Sequence, residues 1–108
     1  MENILAHFDR ETTTLEVKIE NITDISPLAE FSELKQLKLE KCNQLTDISA
    51  LAKLNKLKTL IILDCALLTD ISPISDLSEL TQLKMTQCEQ LSNISPLAQL
   101  VQMKKLKI

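Results

Sequence analysis

Residues 23–45 read TDISPLAEFSELKQLKLEKCNQL. They are followed by TDISALAKLNKLKTLIILDCALL (46–68), TDISPISDLSELTQLKMTQCEQL (69–91) and the shorter SNISPLAQLVQMKKLKI (92–108). The tetrapeptide Thr23–Ser26 returns at Thr46–Ser49 and Thr69–Ser72, then as Ser-Asn-Ile-Ser at Ser92–Ser95, each copy 23 residues after the last. Cys42, Cys65 and Cys88 keep the same step. Self-similarity at a fixed period of this length is the signature of stacked coils, in which each unit touches only its neighbours. The chain is expected to form a solenoid.

The apolar spacing changes within each unit, and that change locates the secondary structure. Leu34, Leu37 and Leu39 are spaced three and then two, as are Leu57, Leu60 and Ile62, and Leu80, Leu83 and Met85. A spacing of two is strand alternation, which predicts strands near 37–40, 60–63, 83–86 and 106–108. One strand per coil with a one-sided return makes the sheet parallel. In the return segment Ser26, Ser72 and Ser95 each precede a proline, a pattern that suits a serine N-cap with Pro at the first helical position. Ile25, Leu28 and Phe31 then recur at spacing three, predicting about two turns of α or 3-10 helix per coil.

The segment Leu34-Lys-Gln-Leu-Lys-Leu-Glu-Lys-Cys-Asn-Gln-Leu45 resembles the leucine-rich repeat, and the Thr-Asp-Ile-Ser-Pro-Leu-Ala return is similar to that of bacterial internalin-like repeats. Cys stands here in place of the usual ladder Asn. The resemblance covers residues 23–108. It implies an α/β fold, with a curved parallel sheet on the concave face and short α or 3-10 helices on the convex face.

Residues 1–22 read as a degenerate N-terminal capping unit of the same single domain, ahead of full repeats 23–45, 46–68 and 69–91 and a truncated last repeat 92–108. Leu5-Ala6-His7-Phe8 lies 23 residues before Leu28-Ala29-Glu30-Phe31, and Leu15, Val17 and Ile19 alternate as a strand. Strict 23-residue register would set Leu15 beside Lys38 and flip the strand's faces. One inserted residue before Leu15 and one missing after Val17 would restore the alignment. Glu2, Asn3, Asp9, Arg10 and Glu11 would make the outside of this unit polar.

Composition narrows the chemistry. The chain has 108 residues, no Gly, one His, two Phe, neither Trp nor Tyr, and a formal net charge of −3. Without glycine there is no phosphate-cradling loop. With two Phe as the whole aromatic complement there is no stacking platform for single-stranded nucleic acid. One histidine leaves little for a metal site or a catalytic triad. The expectation is a non-enzyme with no cofactor and no metal. No apolar run is long enough to cross a bilayer, so no membrane partner is expected. The first ten residues lack the basic and apolar regions of a secretory signal, and the odd cysteine count disfavours a disulfide framework. Both suggest the cytoplasm, although a mature secreted fragment would look the same.

Three columns run through the repeats. Cys42, Cys65 and Cys88 read as buried free thiols bonded weakly to loop backbone, since no Cys-x-x-Cys and no nearby His suggests a metal or redox site. Asp24, Asp47 and Asp70, continued by Asn93, read as turn or capping acceptors, because stacked carboxylates repel unless each accepts backbone N–H groups. The serines of the same tetrapeptide read as caps, with no base beside them to make a nucleophile.

Function is therefore sought at the positions that do not repeat. The strand residues between the leucines should face outward from the sheet: Glu16 and Lys18; Gln36, Lys38 and Glu40; Thr59, Ile61 and Leu63; Gln82, Lys84 and Thr86; Lys105 and Lys107. Ile61 and Leu63 break the polar rule at the centre, a pattern that suits a protein-binding patch. Five lysines against two glutamates make the face locally basic. An acidic protein partner fits, held by an inhibiting, neutralising or adaptor module, whereas nucleic acid fits less well for want of Arg and aromatic residues. A different reading places function at the end of the array. The chain stops inside the fourth repeat's strand, and Val101 replaces Ser32, Asn55 and Ser78. That suggests self-association as a homodimer through an edge carrying Val101, Leu106 and Ile108.

Overall fold

The computed structural model describes residues 9–108. Five parallel strands form one sheet in chain order: β1 (Thr14–Val17), β2 (Gln36–Glu40), β3 (Thr59–Leu63), β4 (Gln82–Thr86) and β5 (Lys105–Lys107). Each of the first four is followed by a return through a five-residue 3-10 helix: η1 (Ser26–Glu30), η2 (Ser49–Lys53), η3 (Ser72–Asp76) and η4 (Ser95–Gln99). The result is an α/β leucine-rich-repeat solenoid with the sheet on one side and the short helices on the other. The strands open one residue earlier than the leucine spacing predicts, at Gln36, Thr59 and Gln82, and the last ends at Lys107.

Period two drives the strands. In β2 the buried residues are Leu37 and Leu39, in β3 Leu60 and Ile62, and in β4 Leu83 and Met85. The helix side supplies Ile25, Leu28 and Phe31 in one coil, Ile48, Leu51 and Leu54 in the next, and Ile71, Ile74 and Leu77 in the third, all buried. These apolar side chains form one continuous core, with no buried polar residue among the described residues. Each fully buried Leu or Ile contributes roughly 1.5–3 kcal/mol of transfer free energy. Stacked coils thus supply the core that no single 23-residue unit could enclose.

Registers β2–β3 and β3–β4 step by 23, as in Gln36↔Thr59 and Thr59↔Gln82. Register β1–β2 steps by 22, pairing Leu15 with Leu37 and Val17 with Leu39. The step is again 23 at Asp24↔Asp47. The turn bond Ile22 N–H to Ile19 C=O matches Leu45 N–H to Cys42 C=O. The missing residue therefore lies between Val17 and Ile19. Ile19 is not the third residue of the strand alternation, as its spacing suggests; it fills the slot that Cys42, Cys65 and Cys88 take in later coils. The expectations for Glu2, Asn3 and Leu5–Phe8, His7 included, lie outside the described residues. Arg10 is within them: it pairs with Glu30 at 3.2 Å and stands over the Phe31 ring, 5.3 Å from its centroid.

The return helices correct one reading. The serines do not cap: Ser26, Ser49, Ser72 and Ser95 are the first residues of their helices, and the preceding Ile25, Ile48, Ile71 and Ile94 carry no side-chain cap bond. The acceptor is two residues upstream of each serine. Asp24 Oδ1 accepts the Ser26 N–H at 2.8 Å, Asp47 that of Ser49 at 2.9 Å, Asp70 that of Ser72 at 3.0 Å, and Asn93 that of Ser95 at 3.0 Å. A short carboxylate or amide side chain folding back on its own backbone satisfies the turn before the helix begins.

Each full strand leaves through a residue at positive φ: Lys41 (58°), Asp64 (59°) and Gln87 (55°). This is the left-handed region that glycine fills without cost, and a chain without glycine meets it with ordinary side chains.

Candidate functional site

The residues singled out on the strands share the outer face of the sheet, and register turns them into rows. One row runs Glu16, Lys38, Ile61, Lys84, Lys107 across β1 to β5. The row beside it runs Thr14, Gln36, Thr59, Gln82, Lys105. A third, shorter row holds Glu40, Leu63 and Thr86. Lys18 follows the last residue of β1 and is exposed.

Charge is distributed unevenly along the central row. Lys38 Nζ lies 3.5 Å from Glu40 and 4.0 Å from Glu16, so both acids of the face serve one lysine. Lys84, Lys105 and Lys107 have no carboxylate within ion-pairing distance among the described residues. The face is therefore self-neutralised over β1–β2 and cationic over β4–β5, a division that the overall count of lysines does not reveal.

Ile61 and Leu63 are half-buried rather than fully exposed, because the neighbouring strands crowd them on both sides. Ile61 is nonetheless the pivot of the face. A hollow of about 250 Å³ lies on its β4–β5 side, lined by Thr59, Ile61, Gln82, Lys84, Lys105 and Lys107 among others. A smaller one of about 140 Å³ lies on its β1–β2 side, with Glu16, Gln36 and Lys38 in its wall. Thr59 and Ile61 line both. An aliphatic ridge between two shallow hollows was not legible in the sequence, since it depends on how the side chains of neighbouring strands pack around Ile61.

The thiol column is structural in its surroundings. Cys42 and Cys65 are buried, Cys88 is partly exposed, and all three are free. Each Sγ faces two backbone carbonyls: Glu40 at 3.6 Å and Val17 at 3.9 Å for Cys42; Leu63 at 3.5 Å and Leu39 at 4.0 Å for Cys65; Thr86 at 3.6 Å and Ile62 at 4.0 Å for Cys88. A hydrogen bond shared with Cys42, together with burial, pushes the Cys65 thiol up, and burial raises Cys88. No group of three or more His, Cys, Asp or Glu that could hold a metal ion exists among the described residues.

The aspartate column behaves as a set of turn acceptors. The Ser26 backbone N–H, then the Ser26 hydroxyl, holds the Asp24 carboxyl below the usual carboxylate range; Ser49 does the same for Asp47 and Ser72 for Asp70.

The residues expected at a self-association edge lie on the last coil. Val101 is 92% exposed in the turn after η4; Leu106 in β5 and Ile108 just past it are 51% and 53% exposed. Among the described residues, strand β5 pairs only with β4. No helix among the described residues is long and apolar enough to cross a membrane.

Comparison with known proteins agrees with this geometry. No family model and no curated protein matches the sequence. Among solved structures, an internalin (inlF) from Listeria monocytogenes superimposes with a TM-score of 0.78 at 34% identity, over 89% of this chain and 27% of that one. Internalin C2 from the same organism matches with a TM-score of 0.66 at 38% identity, over 80% of this chain and 37% of that one. The chain spans well under half the length of either.

Proposed function

From the premise that this chain is a leucine-rich-repeat solenoid with internalin-like coils, we propose that it binds a protein partner against the outer face of its parallel sheet. This fold is typically a non-enzymatic interaction scaffold, and its sheet offers a broad, rigid surface on which side-chain identity varies while the backbone does not. The observation that carries the reading is the aliphatic ridge of Ile61, with Leu63 on the same strand, raised between two hollows and ringed by polar side chains. Apolar anchors at the centre of a polar-rimmed surface are where binding energy concentrates. A partner held there has its own surface covered, which suits an inhibitor or an adaptor.

The test is capture of a partner by the wild-type chain and by an Ile61→Asp, Leu63→Asp double variant, with thermal melts alongside. Loss of capture at an unchanged melting temperature supports the reading. Capture that survives the double substitution overturns it. Ile61→Ser guards against a stability artefact, since it removes the ridge without burying a charge.

A second reading, self-association through the outer edge of β5, draws on the exposed Leu106 and Ile108. Sedimentation at high micromolar concentration distinguishes it: a monomer whose mass is unaffected by Leu106→Lys eliminates it.

A further inference from the structure

The lysines over β4 and β5 are arranged in a way that a self-contained surface would not favour. Lys84 and Lys107 are direct register partners on adjacent parallel strands, about 4.8 Å apart at the backbone. Like charges directly opposite one another destabilise a sheet. Lys105 stands two residues away on β5, beside Gln82. On the other half of the same row, the positive charge of Lys38 is answered by Glu16 and Glu40. The hollow between these lysines and Ile61 is the larger of the two described beside Ile61, and its wall combines the Ile61 side chain with polar Thr59 and Gln82.

We propose that the β3–β5 half of the sheet face is a docking site for an extended acidic segment of a partner protein, with one apolar side chain of that segment seated against Ile61 and its carboxylates over Lys84, Lys105 and Lys107. Charge complementarity selects this occupant. A segment with carboxylates flanking an apolar residue neutralises the three unpaired ammonium groups and covers the ridge in one placement. A basic segment would add to the Lys84–Lys107 repulsion. The β1–β2 half, already paired internally, offers an acidic segment only its rim. Lys rather than Arg at all three positions makes the recognition one of point charge, so it is sensitive to salt and tolerant of the exact carboxylate position.

This inference rests on the sheet face being the binding face, and the experiment separates the two. The ¹⁵N-labelled chain is titrated with the peptide acetyl-Glu-Glu-Leu-Glu-Glu-amide and, in parallel, with acetyl-Lys-Lys-Leu-Lys-Lys-amide. The acidic peptide is expected to shift the amides of β3, β4 and β5 saturably, and the basic one to leave them in place. Lys84→Glu combined with Lys107→Glu should weaken the acidic peptide by about tenfold or more, and Ile61→Ser by severalfold, whereas Lys53→Glu on η2 should change it less than about twofold. Shifts spread evenly over Lys41, Lys53 and Lys56, or a charge-reversed variant that binds as well as wild type, overturn the proposal. Should the peptide fail while partner capture still depends on Ile61 and Leu63, the acidic class is wrong and the sheet-face reading stands. Should capture also be indifferent to Ile61 and Leu63, both fall.

Discussion

Leu15 lies beside Leu37, a step of 22 residues, whereas the corresponding pairs Leu37–Leu60 and Leu60–Leu83 step by 23. The first coil is one residue short, and the shortfall falls just after the strand, where Ile19 drops into the cysteine slot. Side-chain alternation tolerates a deletion there because the chain is already turning; inside a strand it would invert every face. Inserting one residue after Lys18 is therefore expected to leave the melting temperature within a few degrees of wild type. Inserting one between Leu37 and Lys38 should abolish cooperative unfolding. Equal effects in circular-dichroism melts would contradict this account of the first coil.

Lys41 and Gln87 occupy left-handed backbone at the exits of β2 and β4. A non-glycine residue there costs on the order of 1 kcal/mol, partly offset by glycine's larger entropy when unfolded. Lys41→Gly and Gln87→Gly should each stabilise by up to about 1 kcal/mol, raising the melting temperature by several degrees. Asp64→Gly should gain less, because Asp accepts this conformation more readily. Destabilisation by Lys41→Gly in a denaturant titration would mean that the Lys41 side chain makes an interaction worth more than the strain.

Asp24, Asp47 and Asp70 have folded-state pKa values below their unfolded ones. The sign follows directly: their contribution is present above the ordinary carboxylate value and is lost as pH falls through the lower folded values. Melting temperature should fall as pH drops below about 4. Asn93 already performs the same turn in the fourth coil without a charge. Replacing all three aspartates by asparagine should hold stability near neutral pH and flatten that acid limb. An unchanged acid limb in the triple variant would assign it to other carboxylates.

Cys42 and Cys65 are sealed in the core and Cys88 is partly exposed, its thiol raised by burial. With a thiol reagent at pH 8, one thiol per chain should react slowly in the native state and all three on unfolding. Cys88→Ser should remove the native reaction. Modification of Cys65 at the native rate, read by mass spectrometry of peptides, would show that the coils open locally.

Much of this protein was determined by its sequence alone. A 23-residue period, a switch in apolar spacing from three to two, and an acceptor residue at the same place in every coil leave only a stacked parallel sheet with short returns. Each coil contacts only its neighbours, so the pattern of one unit is nearly the whole fold. The column of free cysteines was legible for the same reason, and so was the residue missing after Val17. Tertiary structure decided what lies between coils. It assigned the helix-entry bond to aspartate and not serine, and set Ile19 in a cysteine slot. It spent Glu16 and Glu40 on a single lysine, and raised Ile61 between two hollows. These outcomes depend on where long side chains meet across strands that are distant in sequence and adjacent in register. The two apolar residues that stand out in the sequence were correctly placed on the sheet face, but only the packed neighbours show that they form a half-buried ridge. The charge beside that ridge is one-sided because the residues able to neutralise it stand on β1 and β2, two to four strands away from the lysines of β4 and β5.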